Sequence, residues 1–293
     1  MRLCASLAVG ALLGIGCGDG AAPPTPSEPA PVTVTEAAPT PSSTPLEPTP
    51  TPSPTPTSPP PVQVDSRADL ELIDPWSITP TAPEDDRTGD VDSVVHLGPS
   101  GAVVHAAPGQ AVIGLLPSIT LMDDTAIPVT DRDGDWLRVM LPSRLSLPSQ
   151  DGAVNGATGW IHVSDVAEVT PSTHAVVVDL VAHTVTVTGP DGTVTVPTRH
   201  GAAESPTPPG RTYLASRWTE ESSTPAVAAL GSHSPTLDVF GDGPAVVAIH
   251  AYIGETTQGV GSNGCIRLHP DDWVRAGMEA LPIGTPVSIV GSA

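Results

Sequence analysis

The chain has 293 residues and a formal net charge of −21, from 11 basic and 32 acidic residues. All of the basic residues are arginine, which excludes a lysine nucleophile, a Schiff base or a P-loop lysine and leaves no basic face for nucleic acid. The 37 prolines, against five Trp, two Tyr and one Phe, do not fit a single compact domain over the whole chain.

Residues 1–17 predict an export signal. Arg2 precedes an apolar run, residues 3–15, which is too short to span a bilayer as a helix and leads into small residues before Cys17. The segment resembles a bacterial lipoprotein signal, although Gly14 stands where that signal usually has Leu. The resemblance implies a membrane anchor through a lipidated Cys17. A secretory signal that is cut nearby is the alternative.

The three cysteines have different expected fates. Cys4 is lost with the signal, and lipidation of Cys17 would leave Cys265 as the one free thiol of the mature chain. A lone thiol in an exported protein has no intramolecular disulfide partner, so Cys265 needs another explanation.

Residues 18–64 predict a disordered linker, because they contain 16 of the 37 prolines and no aromatic or basic residue. As a polyproline II helix this linker would reach about 145 Å, at roughly 3.1 Å per residue. Residues 65–93 are interpreted as a connecting segment of uncertain structure.

Residues 94–170 contain short β-type runs separated by Gly, Pro and Asp, typical of a small barrel or sandwich. The predicted strands are 94–97, 110–115, 125–129, 136–141 and 159–163. The runs Ala107-Pro108-Gly109, Gly134–Val139 and Gly159-Trp160-Ile161 resemble bacterial SH3-like domains, which often accompany cell-wall enzymes. Trp136 and Trp160 are interpreted as core residues, with ligand stacking as the alternative.

Residues 172–292 predict a second, mainly β domain. Its predicted strands are 175–181, 183–187, 193–196, 211–215, 245–249 and 286–290. A helix is expected over 271–281, capped by Asp271 or Asp272, with Val274, Met278 and Leu281 on one apolar face.

The chemistry is predicted between His250 and Cys265. His250 ends a buried apolar strand, and Gly264 lets the backbone approach a substrate closely beside the thiol. Consecutive N–H groups around Asn263, Gly264 and Cys265 could stabilise an oxyanion. A neighbouring charge that lowers the pKa of the thiol would make the thiolate dominant, and Arg267 would lie on the same side of the strand. The alternative is a buried cysteine and a satisfied histidine.

These motifs resemble the catalytic domain of bacterial L,D-transpeptidases. That family has a histidine at a strand end and, 12 to 17 residues later, a segment like Ser262–Arg267. The turn 206–210, Pro-Thr-Pro-Pro-Gly, fits the same pattern. Two departures are Asn263, where many members have His, and Ala251-Tyr252 after His250. Activity is expected to survive the change at Asn263, because that position is not the catalytic base in the family. The change at Ala251-Tyr252 puts substrate preference in doubt more than catalysis.

The resemblance implies a mainly β fold, with a small SH3-like barrel followed by a β-sandwich of mixed sheets and one C-terminal helix. It implies that Cys265 attacks a peptidoglycan tetrapeptide stem, with His250 as base and then acid. Asn263, Gly264 and Cys265 would contribute to the oxyanion site, and Ser262 and Arg267 would shape the donor pocket. No cofactor and no metal are expected. The competing hypothesis is a non-catalytic wall-binding lipoprotein with an inactive transpeptidase-like domain.

The order of the motifs separates this chain from other cysteine enzymes. Papain-like endopeptidases place Cys before His, and sortases place Arg well after Cys. His233 is expected either to line the pocket or to lie in a solvated loop. His174, His183 and His200 are expected at the surface.

Overall fold

The computed structural model describes residues 58–88, 91–254 and 258–291; Cys17, the rest of the predicted signal and most of the predicted linker lie outside them. The first sheet has seven antiparallel strands in the order β3-β2-β8-β7-β6-β1-β9, and β4 and β5 form a small separate pair. These strands are β1 (Ser93–Leu97), β2 (Ala102–His105), β3 (Val112–Leu116), β4 (Ile119–Thr120), β5 (Asp123–Asp124), β6 (Ala126–Asp133), β7 (Trp136–Met140), β8 (Thr158–His162) and β9 (Val166–Pro171).

The second sheet is mixed and has ten strands in the order β12-β11-β10-β19-β14-β15-β16-β18-β13-β17. Its strands are β10 (Ala175–Asp179), β11 (Thr184–Gly189), β12 (Gly192–Pro197), β13 (Arg199–Gly201), β14 (Gly210–Thr219), β15 (Ala226–His233), β16 (Val246–Ala251), β17 (Gly259–Ser262), β18 (Ile266–Leu268) and β19 (Pro286–Val290). Three pairs are parallel, namely β10 with β19, β16 with β18 and β13 with β17. The predicted mainly β fold with mixed sheets is confirmed, whereas the SH3-like identity of 94–170 stays a prediction.

The second sheet folds around one apolar core. In β10 and β11 the valines alternate with Thr or exposed residues, so Val176, Val178 and Val185 all point inward. They share a core with Ile249 of β16 and Ile266 of β18, from the other half of the sheet. The two halves therefore face each other as a sandwich, and β16 and β18 are held rigidly in its wall.

The C-terminal helix is shorter than predicted. Helix α1 spans Pro270–Arg275, and His269 rather than an aspartate caps it, because its Nδ1 accepts the backbone N–H of Asp271. Gly277 then adopts a left-handed conformation with φ of 65°, which ends the helix before a 3-10 turn at Met278–Ala280. In the part of the chain described, no helix is long and apolar enough to cross a membrane.

The predicted helix face was also wrong. Val274 is 71% exposed, and Trp273 is the helical side chain that enters the core together with Met278 and Leu281. The change of direction at Gly277 explains this, because residues on either side of it do not share a single helical face.

The predicted connecting segment forms hydrogen bonds and ion pairs with both sheets. Arg138 of β7 donates to Asp86 Oδ2 over 2.9 Å and to the carbonyl of Glu84 over 2.8 Å. Arg211 of β14 donates to Asp85 Oδ2 over 2.9 Å, and both of these side chains are largely buried. Residues 84–86 therefore bind one arginine from each sheet.

Two histidines expected at the surface are stacked on each other instead. His200 is fully buried, and its Nε2 lies 2.8 Å from Nδ1 of the half-buried His183 and 3.0 Å from the carbonyl of Leu180. The two rings are 5.0 Å apart and nearly parallel. Burial lowers the pKa of His200, against hydrogen bonds to the carbonyls of Gly201 and Leu180 that raise it. The surface interpretation was wrong for His200.

His233 is neither a pocket residue nor a solvated loop residue. It ends β15, is 0% exposed, and its Nε2 lies 2.9 Å from the carbonyl of Pro75. Its backbone exchanges two hydrogen bonds with the side chain of Asn155. Burial lowers the pKa of His233 to about 4, assisted by the charge of Arg144 and opposed by the bond to Pro75. The neutral ring therefore joins the end of β15 to the segment at Pro75, and the backbone of His233 joins it to the loop between β7 and β8.

We expect His233 to make the fold sensitive to acid. Its folded pKa of about 4 lies below the ordinary value of 6.5, so its contribution is complete above about pH 6.5 and is lost as the pH falls towards 4. The loss should reach about 3 kcal/mol of unfolding free energy at pH 4. Urea denaturation at pH 7 and pH 4 measures it, and His233→Asn should reduce the pH dependence by about that amount. The matched control is His174→Asn; an unchanged pH dependence in His233→Asn would refute the assignment.

Candidate active site

His250 and Cys265 are positioned by a pair of parallel strands. The register of β16 and β18 places Ile249 opposite Ile266 and His250 opposite Arg267. Cys265 directly precedes β18, so it comes level with Ala248. Both His250 and Cys265 line one cavity of about 340 Å³, and the thiol is not in a disulfide. The two residues are therefore gathered at one opening in the sandwich wall.

The ring of His250 is held in one orientation. It is 7% exposed, and its Nδ1 lies 3.0 Å from the carbonyl of Ala251. A carbonyl can only accept a hydrogen bond, so Nδ1 carries the proton and Nε2 is the free basic nitrogen of the neutral ring. The departure at Ala251 does not affect this contact, because the contact is made by the backbone.

The loop before the thiol is fixed by a serine hydroxyl. Ser262 Oγ donates to the carbonyl of Cys265 over 2.5 Å and accepts the N–H of Gly264 over 3.2 Å. Ser262 is buried and is not among the residues that line the cavity. The Ser262 hydroxyl thus stabilises the turn from the side away from the cavity. The N–H of Gly264 is already hydrogen-bonded to this hydroxyl.

The Pro-Thr-Pro turn supports the same loop from the other side. Thr207 Oγ1 donates to the carbonyl of Gly264 over 2.7 Å and accepts the N–H of Gly201 over 2.9 Å. Gly264 has a φ of +106°, a conformation that favours glycine. The turn at 206–210 and the segment at 262–267 are thereby joined through one buried hydroxyl.

Arg267 and Tyr252 form one wall of the cavity. The guanidinium carbon of Arg267 lies 4.4 Å from the centre of the Tyr252 ring, a cation–π contact. The Tyr252 ring meets His250 edge-on, with centres 6.2 Å apart. Arg267 is the one charged side chain among the described residues of the lining, apart from the titratable His250. Its Nε is buried without a hydrogen-bond partner among the described residues.

Burial keeps both reactive groups neutral at rest. It raises the pKa of the Cys265 thiol, although a hydrogen bond with the backbone of Ala248 and the charge of Arg267 oppose the shift. Burial also lowers the pKa of His250; the Ala251 carbonyl opposes this, Arg267 lowers it further, and Glu220 raises it. The condition for a dominant thiolate, a lowered pKa of the Cys265 thiol, is therefore not met at rest, because burial outweighs the nearby charges.

We expect the raised pKa of the Cys265 thiol to appear in the pH dependence of its alkylation by iodoacetamide. The thiolate is the reactive form, so a raised pKa predicts that the rate with Cys265 still increases with pH beyond the ordinary titration range of a thiol. Mass spectrometry of the Cys265 peptide at a series of pH values measures the rate, with free cysteine as reference. A rate that levels off near pH 6 would show that an ion pair forms at rest.

The structure gathers four of the six predicted site residues on the cavity wall: His250, Asn263, Cys265 and Arg267. The sequence reasoning missed the rest of the wall, which includes Ser223, Thr224, Ser234, Leu237, Phe240 and Tyr252. Most of these lie in loops without periodicity. Among the described residues, no group of three or more His, Cys, Asp or Glu side chains is arranged to hold a metal.

Residues 173–289 match the family model YkuD, the L,D-transpeptidase catalytic domain. The match covers β10 to β19 apart from the last residue, and contains every residue of the candidate site. It supports an L,D-transpeptidase catalytic domain in this part of the chain and a function of the peptidoglycan transpeptidase type. No curated protein matches the chain.

Several solved structures are similar to parts of the chain. L,D-transpeptidase 3 from Mycobacterium tuberculosis is 14% identical over 53% of this chain and 92% of that one, with a TM-score of 0.35. L,D-transpeptidase 1 from the same organism is 22% identical over 53% and 72%, with a TM-score of 0.28. An L,D-transpeptidase from Stackebrandtia nassauensis is 24% identical over 41% and 56%, with a TM-score of 0.28.

Proposed function

We propose that the protein is an L,D-transpeptidase that acts on peptidoglycan tetrapeptide stems through a Cys265 thioester. The observation that carries the proposal is the shared cavity of His250 and Cys265, in which the Ala251 carbonyl fixes the imidazole. A fixed base beside a free thiol is the arrangement that nucleophilic acyl transfer requires.

The first half of the reaction cleaves the donor stem. His250 Nε2 takes the thiol proton as Cys265 Sγ bonds to the carbonyl carbon between the L-centre of the diamino acid and the terminal D-Ala. When the tetrahedral intermediate collapses, the imidazolium returns that proton to the leaving amine. D-Ala departs and a thioester remains. Because both groups start neutral, proton transfer and attack are coupled.

The second half transfers the acyl group to an acceptor. An amine of a neighbouring stem attacks the thioester carbonyl and gives its proton to His250. The carbon–sulfur bond breaks, and the thiolate recovers the proton from the imidazolium. The product is a 3→3 cross-link, and water in place of the amine gives hydrolysis. No oxidant or cofactor is needed for either half.

The oxyanion site that we propose contains fewer N–H groups than the sequence suggested. The N–H of Gly264 is donated to Ser262, so we assign the stabilising N–H groups to Cys265 and Asn263. Ser262 becomes a positioning residue for this loop. Arg267 is suited to a donor carboxylate, because its side chain lines the cavity and carboxylates bind arginine well.

We place the enzyme outside the cytoplasm, anchored by lipid on Cys17, with the Pro-rich linker as spacer and 94–170 as an SH3-like accessory domain. Intact-mass analysis of membrane-extracted protein should show a lipid mass on the Cys17 peptide, and Cys17→Ser should release the protein from the membrane. A Cys17 peptide without lipid would instead support the alternative, a secretory signal that is cut nearby.

Product analysis with purified tetrapeptide stems tests the activity. The wild-type protein should release D-Ala and form a dimer of mass equal to two stems less one D-Ala, and tandem mass spectrometry should locate the 3→3 bond. Binding to peptidoglycan without any release of D-Ala would instead support the inactive wall-binding protein. Release of D-Ala without the dimer would identify water as the acceptor.

A further inference from the structure

The outer face of the first sheet carries aromatic residues that do not belong to its core. In β7, Leu137 and Val139 point into the core, while Trp136 and Arg138 point the other way. Trp136 is nevertheless 0% exposed, so something covers it from outside. Trp136 is therefore fully buried, as the interpretation of it as a core residue requires, but on the face of β7 opposite Leu137 and Val139.

The cover is the end of the Pro-rich segment. The indole Nε1 of Trp136 donates to the carbonyl of Pro59 over 2.8 Å, and the N–H of Asp135 donates to Ser58 Oγ over 3.0 Å. Gly109 makes room for the chain, since a Cβ there would lie 2.9 Å from Cβ of Pro59. In the part of the chain that the structure describes, residues 58 and 59 thus already make contacts with the first sheet, inside the linker predicted over 18–64.

Gly109, Asp135 and Trp136 thus line a groove that holds Ser58 and Pro59. Aromatic rings form its walls. The rings of His105 and His162 meet Trp136 edge-on, with centres 4.9 and 5.2 Å away. Beyond the prolines, Arg67 pairs with Asp165 at 2.5 Å and so fixes the far end of the segment. An indole N–H that donates to a proline carbonyl, between aromatic walls, is the chemistry by which small β domains bind proline-rich peptides.

We propose that the groove formed by Gly109, Gly134, Trp136, His105 and His162 is a binding site for proline-rich peptide. Gly134 belongs to it because a Cβ at that position would collide with Ser58 Oγ. Its occupant is this chain's own segment Ser58–Pro61, which holds the end of the linker against the first sheet. Because the ligand is part of the chain, its effective concentration is in the millimolar range for a short connection. The groove should therefore be closed to outside peptides until the internal segment is weakened.

The test is a displacement experiment on the full mature chain. The probe is a synthetic peptide with the sequence of residues 55–64, TPTSPPPVQV, and the readout is the indole N–H resonance of Trp136 in NMR, assigned with Trp136→Phe. In the wild type we expect no response at micromolar peptide. In the double variant Ser58→Ala, Pro59→Gly the resonance should move, and adding peptide should return it towards the wild-type position with saturation.

Three controls make the result decisive. A peptide with all four prolines replaced by Ala should bind at least tenfold more weakly, and the variant Pro41→Ala, Ser42→Ala should behave as wild type. Cys265 should react unchanged in every variant, which shows that the fold is intact and separates this test from the proposed activity. Failure of the double variant to bind the peptide, or equal binding of the alanine peptide, would overturn the proposal. Equal binding by the wild type would overturn its internal occupancy.

Discussion

Cys265→Ala is expected to abolish release of D-Ala from tetrapeptide stems, with a loss of about a millionfold, as when the nucleophile of a comparable covalent enzyme is removed. The reason is that no other described side chain of the cavity wall offers a nucleophile of similar strength: apart from the His250 imidazole and the Arg267 guanidinium, the remaining lining supplies hydroxyls, an amide and apolar groups. The measurement is the rate of D-Ala release at saturating stem concentration.

The control for Cys265→Ala is its stability. Cys265 is half-buried and bonds with the backbone of Ala248, and alanine removes one sulfur atom without adding a polar group, so urea unfolding should remain a single transition. A folded Cys265→Ala protein that still releases D-Ala at a measurable fraction of the wild-type rate would move the nucleophile elsewhere.

His250→Ala is expected to slow the reaction by about 10²- to 10⁴-fold, the usual contribution of a positioned general acid–base. The loss should be in kcat, because the thiol stays neutral and must lose its proton during attack. In the wild type, activity should fall at acid pH as His250 becomes protonated. Since burial lowers the pKa of His250, this fall should lie below the ordinary titration range of histidine and be absent in the variant.

The matched control for His250 is His174→Ala, because the His174 side chain bonds among the described residues only with Thr173 and does not line the cavity. It should keep wild-type kcat and the wild-type pH profile. If His250→Ala retained full kcat, or if both variants lost activity equally, His250 would have no part in proton transfer.

The site was predictable from the sequence because its parts are close in the chain and strongly patterned. A continuous apolar run ending in His250 predicts a buried strand, and Gly264 before Cys265 predicts a tight turn; the parallel pairing of β16 and β18 then joins them. The raised pKa of the thiol was not predictable, since burial depends on loops that carry no periodic signal.

The errors on other residues come from long-range contacts. His200 and His233 lie among polar residues in the sequence, and they are buried by Leu180 and Pro75, which are remote in the chain. Trp136 alternates correctly with Leu137, but alternation does not reveal that residues 58–61 cover the outer face. Gly277, by contrast, was a readable signal for the end of the helix.

Several of the few basic side chains are engaged within the fold. Arg67, Arg138 and Arg211 each pair with an aspartate within the fold. Arg144 and Arg217 donate to backbone carbonyls. These cations therefore hold the structure together, and Arg267 differs from them in lining the cavity that contains His250 and Cys265.

Intact-mass analysis after incubation with a carbapenem tests the central claim most directly, because such a β-lactam acylates the thiol of L,D-transpeptidases. We predict one adduct per wild-type chain, located on the Cys265 peptide, and none on Cys265→Ala. Absence of an adduct on the folded wild-type protein, or an adduct that persists in Cys265→Ala, would contradict the assignment of Cys265 as the nucleophile.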